Sequence, residues 1–208
     1  MSVTINGGNI ITAGFEFFYG AAIFYFPNTA SGCSTPTKTI VGNNVALNDP
    51  VSVAADNSGT LYVASSTEGS GHGAVNEYSS TASGNASPTT VLQGNNTKLN
   101  EPTEVYIDNS TTGAGRLLVS DSSGHVLVFA PGATGNATPV QDITSVSAPT
   151  GVATDSNGKI YVSAPGNSEI RVFAATATGA ATPVNKVRGT ASGLSAPGQL
   201  FIAPISPS

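Results

Sequence analysis

A seven-residue pattern, Ala-[Ser/Thr]-Gly-x-[Ala/Ser]-[Ser/Thr]-Pro, occurs four times in this chain, at Ala30–Pro36, Ala82–Pro88, Ala133–Pro139 and Ala177–Pro183, with starts 52, 51 and 44 residues apart. A period of that length is the mark of a protein built by stacking like units, each too small to bury its own apolar faces. The rest of the unit falls into register around it. A Pro-led run comes first, at Pro50–Asp56, Pro102–Asp108, Pro149–Asp155 and Pro197–Ala203. A Gly-led run of alternating apolar residues follows at Gly59–Ala64, Gly115–Ser120 and Gly158–Ser163, joined at the amino terminus by Val3–Thr12. Ile23–Phe26, Val75–Tyr78, Val126–Phe129 and Ile170–Phe173 lead into the heptad, and Thr37–Val41, Thr89–Leu92, Val140–Ile143 and Val184–Val187 leave it.

Alternating β-branched and aromatic residues bounded by Gly, Asn, Asp, Ser and Pro predict short strands, and no window carries a capped helical stripe. Four antiparallel strands per repeat describe a propeller blade. The expected fold is all-β: a β-propeller of four-stranded antiparallel blades, about four in this chain, over units near 1–49, 50–101, 102–148 and 149–196. The first strand recurs a fifth time at 197–203, as a closing strand. This surplus leaves open a four-bladed ring closed by that strand, an arc of a larger ring, or arcs joined between chains. An open arc exposes edges that favour self-association.

The units resemble the NHL-type repeat of the six-bladed, TolB-like propeller superfamily, whose unit reads Pro-x-Gly-Ile-Ala-x-Asp, then Gly-x-Ile-Tyr-Val-Ala, then Ile-x-Val-Phe. Pro149–Phe173 carries the resemblance best, and it extends over nearly the whole chain. It implies binding on one face and in the central channel, where the second-to-third-strand and interblade connections emerge. That face would present Glu16, Asp49, Glu68, His72, Glu101, Asp121, His125 and Glu169, with Lys98 and Arg188 as the cations.

Composition narrows the chemistry. Only 9% of 208 residues are charged, 12 acidic and 7 basic, for a net charge of -5. Seven cations cannot track a phosphate backbone, so no nucleic-acid partner is expected. The single Cys33 excludes a disulfide scaffold and, in a Gly/Ser/Thr turn, reads as an unpaired small residue. No apolar run is long enough to span a membrane. Met1–Gly8 has no basic start or apolar run, so no signal peptide is expected in this chain. A surface poor in Lys and rich in Ser, Thr, Asn and Gly nonetheless points to an extracytoplasmic or secreted setting.

Asp56–Gly59 and Asp155–Gly158 lack the bidentate Glu of a calcium loop and read as hairpin turns. His72 and His125 recur at nearly equivalent places, and with Glu68 and Asp121 they form a candidate acid–base or metal set; resembling propellers include the streptogramin lyases, which use His and Glu on this face. Against that stands the reading in which each His occupies a polar hairpin tip. Phe15, Glu16, Phe17, Phe18 and Tyr19 either present aromatics to a sugar or protein or fill the core of the first blade. The expectation is a non-enzymatic scaffold for a protein or glycan, with no cofactor and no metal; the alternative is a lyase or hydrolase.

Overall fold

The computed structural model describes residues 2–16, 20–66, 72–110 and 115–202. Four sheets follow one another along the chain, each an antiparallel meander of four strands in sequence order. The first holds β1 (Ser2–Asn6), β2 (Asn9–Glu16), β3 (Gly20–Pro27) and β4 (Lys38–Val41); the second β5 (Pro50–Ala55), β6 (Leu61–Ser65), β7 (Ala74–Tyr78) and β8 (Thr90–Leu92). The third holds β9 (Pro102–Asp108), β10 (Arg116–Asp121), β11 (His125–Phe129) and β12 (Gln141–Ile143); the fourth β13 (Gly151–Thr154), β14 (Ile160–Ala164), β15 (Glu169–Phe173) and β16 (Asn185–Val187).

Alternation sends successive side chains to opposite faces of a sheet, and each inner sheet is apolar on both. The trailing face of the third sheet, Val105, Ile107, Leu117, Val119, Leu127 and Phe129, packs on Ala54, Ala64, Val75 and Leu92 of the second. The second covers the first in the same way, through Val53, Leu61, Val63 and Tyr78 against Ile11, Ile23, Tyr25 and Ile40. The fourth covers the third through Val152, Ile160, Val162 and Phe173 against Leu118, Val126, Val128 and Ile143. Each fully buried aliphatic side chain is worth about 1.5–3 kcal/mol, so the interfaces between sheets carry most of the stability.

The heptad proves to be a clamp between neighbouring sheets. Its Gly meets the fourth strand of the preceding sheet in an isolated parallel bridge: Ile40 with Gly84, Leu92 with Gly135, Ile143 with Gly179. Two hydrogen bonds make each bridge; Gly84 N donates to Thr39 O at 2.7 Å and accepts, through its carbonyl, from Val41 N at 2.9 Å. These glycines stand at φ +60, +60 and +63, the left-handed conformation in which a Cβ is strained. Thus a Gly recurs at that heptad position.

Around the axis, first strands lie side by side in the order β1, β5, β9, β13. Among the described residues, no comparable contact joins the fourth sheet to the first. Equivalent side chains stitch this inner layer: Ser2 Oγ accepts from Val53 N at 3.3 Å, Ser52 Oγ from Val105 N at 3.2 Å and Glu104 Oε2 from Val152 N at 2.6 Å. The expected closing strand departs from the prediction, because residues 197–202 form no strand. A first strand pairs with the second strand of its own sheet, and no described strand stands beside this one. The segment instead sits against the fourth sheet, with Thr150 Oγ1 donating to Pro197 O at 2.9 Å, and is hydrogen-bonded to the first through Gln199 Nε2 and Ser2 Oγ at 3.3 Å.

The Asp-led turns are hairpins, as their composition suggests. Asp56 Oδ1 accepts from Ser58 N, Ser58 Oγ and Thr60 N at 2.7–2.9 Å, closing the connection from β5 to β6.

Candidate functional site

The face carrying the interblade connections and the second-to-third-strand hairpins holds two exposed carboxylates at equivalent repeat positions. Asp49 precedes Pro50 and Glu101 precedes Pro102. Each accepts from the Ser that follows the second strand: Asp49 Oδ2 from Ser66 Oγ at 2.7 Å, and Glu101 Oε2 from Ser122 Oγ at 2.8 Å. Backbone bonds from Ser66 N to Asp49 O and from Ser122 N to Glu101 O fix the same two junctions. Beside Glu101 and the Ser66 that holds Asp49 lies a shallow depression of about 480 Å³ of mixed character, lined by Val51, Ser66, Asn100, Glu101, Pro102, Thr103 and Ser122. Both carboxylates keep unfilled acceptor positions toward solvent.

Other acids proposed from the sequence have internal roles. Asp121 is fully buried at the end of β10. Its Oδ2 accepts from Asn100 N and Glu101 N at 2.8 and 3.0 Å, and its Oδ1 from Ser123 N and Ser123 Oγ at 3.0 and 2.5 Å. Asp121 therefore holds the loop that displays Glu101. Glu169 is buried beneath Arg171, whose Nε lies 2.5 Å from Glu169 Oε1 and whose other nitrogens donate to Ser145 O and Asn167 Oδ1. Its charge is spent in tying β15 to the preceding interblade loop.

His125 and His72 diverge. His125 Nδ1 lies 2.7 Å from Asp142 Oδ1, while Lys98 Nζ lies 2.8 Å from Asp142 Oδ2. Burial alone would raise the Asp142 carboxyl, but hydrogen bonds and charge from Lys98 and His125 outweigh it and hold the group below the usual carboxylate range. This cluster stays half-open, with His125 27% exposed. His72 is half-buried and has no hydrogen-bond partner among the described residues. Glu68, Phe17, Phe18 and Tyr19 lie outside the described residues, as does the side chain of Glu16. Phe15, on β2, is 71% exposed. Arg188 is exposed in the loop after β16.

Glu104 and Asp142 were not singled out in the sequence. Glu104 is buried on the inner strand β9, and burial pushes its carboxyl up to about 7 against the opposing effect of backbone N–H groups from Val152 and Leu200. The signal for it was positional: Ser2, Ser52, Glu104, Gly151 and Gln199 are the same repeat position, and only one is charged. Asp142 likewise replaces the Thr39 and Val91 of earlier fourth strands.

No protein-family model and no curated protein matches the sequence. Solved structures do match. A functionally unknown protein from Desulfotomaculum acetoxidans DSM 771 superposes on 97% of this chain with a TM-score of 0.65 at 14% identity. The WD40 beta propeller domain of Doa1 superposes on 90% at 0.60 and 11% identity, and a chain of the Mitotic Checkpoint Complex on 89% at 0.60 and 16%. The fold is a β-propeller. At these identities the likeness is one of fold alone, and this propeller spans only 58%, 54% and 51% of those three chains.

Proposed function

We propose that this chain is a non-catalytic, NHL-like propeller scaffold that binds a protein partner through the face displaying Asp49 and Glu101. One observation carries the reading: the two exposed carboxylates recur at equivalent blade junctions and are each oriented by a serine, Ser66 and Ser122, that lines one shallow depression. A rigid acidic rim of that kind suits a partner segment bearing Lys or Arg and hydrogen-bond donors, and steers it electrostatically. The aromatic Phe15 supplies apolar contact area on the first sheet. A glycan is the less favoured ligand, since the depression itself offers no aromatic platform among the described residues. The alternative, a lyase or hydrolase, uses His72 and His125 with Glu68 or Asp121; the Asp121 oxygens already bind four donors, and His125 is engaged by Asp142.

The test uses immobilised chain and a panel of Lys/Arg-rich, Asp/Glu-rich and neutral peptides, with neutral and acidic oligosaccharides alongside. Basic peptides are expected to be retained, with retention falling as salt rises and at least tenfold weaker for Asp49→Asn/Glu101→Gln. Equal retention of acidic and basic peptides, or no change in the double variant, overturns the reading.

A further inference from the structure

Every blade interface in this chain has two parts, a packed sheet-on-sheet face and a heptad clamp, and each part has an unused copy at either end of the arc. The trailing face of the first sheet repeats that of the third position by position: Val3, Ile5, Ile10, Thr12, Phe24 and Phe26 stand where Val105, Ile107, Leu117, Val119, Leu127 and Phe129 stand. In the third sheet these side chains are 0–5% exposed. In the first, Val3 is 58% and Ile5 73% exposed, and Ile10, Phe24 and Phe26 are half-exposed. The fourth sheet offers the matching face. Ala153, Tyr161, Ile170 and Val187 stand where Ala54, Tyr62, Val75 and Leu92 of the second sheet cover the third, and Val187 is 47% exposed.

The clamp tells the same story independently. Gly32, at φ +57, has the conformation of Gly84, Gly135 and Gly179, yet no bridge to it exists among the described residues. The edge of β16 is the one fourth strand without a heptad Gly against it. The neighbouring contact is also prepared. Asn85 Oδ1 accepts from Asn44 N, and Asn136 Oδ1 from Asn96 N, both at 2.8 Å, each beside a Gly, Gly42 or Gly94, that leaves room for the Asn. After β16 the corresponding Gly189 has nothing within 4 Å of where its Cβ would be. At the heptad position of Asn85 and Asn136 the first unit carries exposed Cys33.

We infer that a second copy of this chain covers the first sheet, its fourth sheet packing on Val3, Ile5, Ile10 and Phe26 and its β16 edge bridging Gly32, with the same contact returned on the other side to close a two-chain ring. Continuity with the existing interfaces names the occupant: what covers this face at three places in the chain is a blade of this same repeat. The arc spans about half of the WD40 propeller domain it superposes on, so two arcs approximate one ring. Such a contact joins unlike surfaces, and it stops at two chains because the rotation closes. Closing it opens the Gln199–Ser2 hydrogen bond, a small loss against a sheet face of apolar burial.

The experiment measures the mass of the 208-residue chain in solution by light scattering, up to about 100 µM, where a Kd near 1 µM leaves little free chain. A particle of twice 20.7 kDa is expected. Ile5→Lys, at a position already open to water in the single chain, should leave folding intact and weaken association at least tenfold. Ala191→Cys, at the position of Asn44 and Asn96, should couple to Cys33 through a short bis-maleimide and yield a covalent two-chain species; Cys33→Ser in that variant should abolish it. A single-chain mass at every concentration, or association indifferent to Ile5→Lys with no coupling through Cys33, overturns the inference.

Discussion

Glu104 Oε2 accepts a hydrogen bond from the backbone N–H of Val152 at 2.6 Å, across the boundary between the third and fourth sheets. Its carboxyl is pushed up to about 7 by burial, from 4.5. The folded chain therefore holds this proton over a pH range in which the unfolded chain has released it. Stability from this group is complete below about pH 4.5 and is lost as pH rises through about 7. Glu104→Gln keeps an acceptor and removes the charge, so its melting temperature should exceed that of the parent at pH 8 and match it near pH 4.5. A variant no more stable at pH 8 than at pH 4.5, relative to the parent, contradicts this.

Asp142 has the opposite sign. Lys98 and His125 hold its carboxyl below the usual range despite partial burial. Its contribution is present above the unfolded carboxylate value and fades as pH falls through the lower folded one. Asp142→Asn should lower the melting temperature at pH 6 by a few degrees and make no difference once both forms are protonated. Because Lys98 is 48% exposed, added salt should shrink the effect at pH 6.

Asp121 separates a structural carboxylate from a catalytic one. Its removal in Asp121→Ala leaves the Asn100 and Glu101 N–H groups without their acceptor, at a cost of about 2–3 kcal/mol in urea unfolding. The Glu101 depression should lose peptide binding in parallel with the loss of fold. Full stability in this variant would mean that the loop is held by something else.

The clamp glycines predict a backbone effect free of packing. A Cβ at Gly84, Gly135 or Gly179 meets nothing within 4 Å, so only the left-handed φ is strained. Each Gly→Ala change should cost about 1–2 kcal/mol. Gly42→Ala should cost more, since its Cβ would stand 2.4 Å from Asn85 Oδ1.

Tyr78 and Tyr25 are both buried tyrosines with different prospects. Tyr78 Oη donates to Val45 O, whereas Tyr25 Oη is buried without a hydrogen-bond partner among the described residues, and burial pushes the Tyr25 hydroxyl up to about 12. Tyr78→Phe should cost about 1 kcal/mol in urea unfolding and Tyr25→Phe should be neutral or stabilising.

The repeat made the fold legible because every blade writes the same four strands, so one heptad and its neighbours located all sixteen. Asp49 and Glu101 were legible as members of a face. What the sequence did not separate was which acids on that face are free: Asp121 and Glu169 look like Asp49 and Glu101 until the donors around them, Asn100 N and Arg171 Nε, are placed in space. Asp142 escaped notice because its partners Lys98 and His125 come from elsewhere in the chain and meet only when the interblade loop folds over β12. The strand expected at 197–203 did not form over 197–202 for a related reason: its alternation is sound, but a ladder needs a neighbouring strand, and among the described residues Pro197–Leu200 makes single hydrogen bonds to Thr150, Glu104 and Ser2 in place of one.

Hydrogen–deuterium exchange resolved at single amides tests the interblade clamp most directly. In dilute solution, strong protection is expected at Gly84, Gly135 and Gly179, and at Val41, Gln93 and Thr144 opposite them, with rapid exchange at Gly32 and Arg188 that slows as concentration rises. Equal protection of all four heptad glycines at every concentration, or none at Gly84, Gly135 and Gly179, would contradict it.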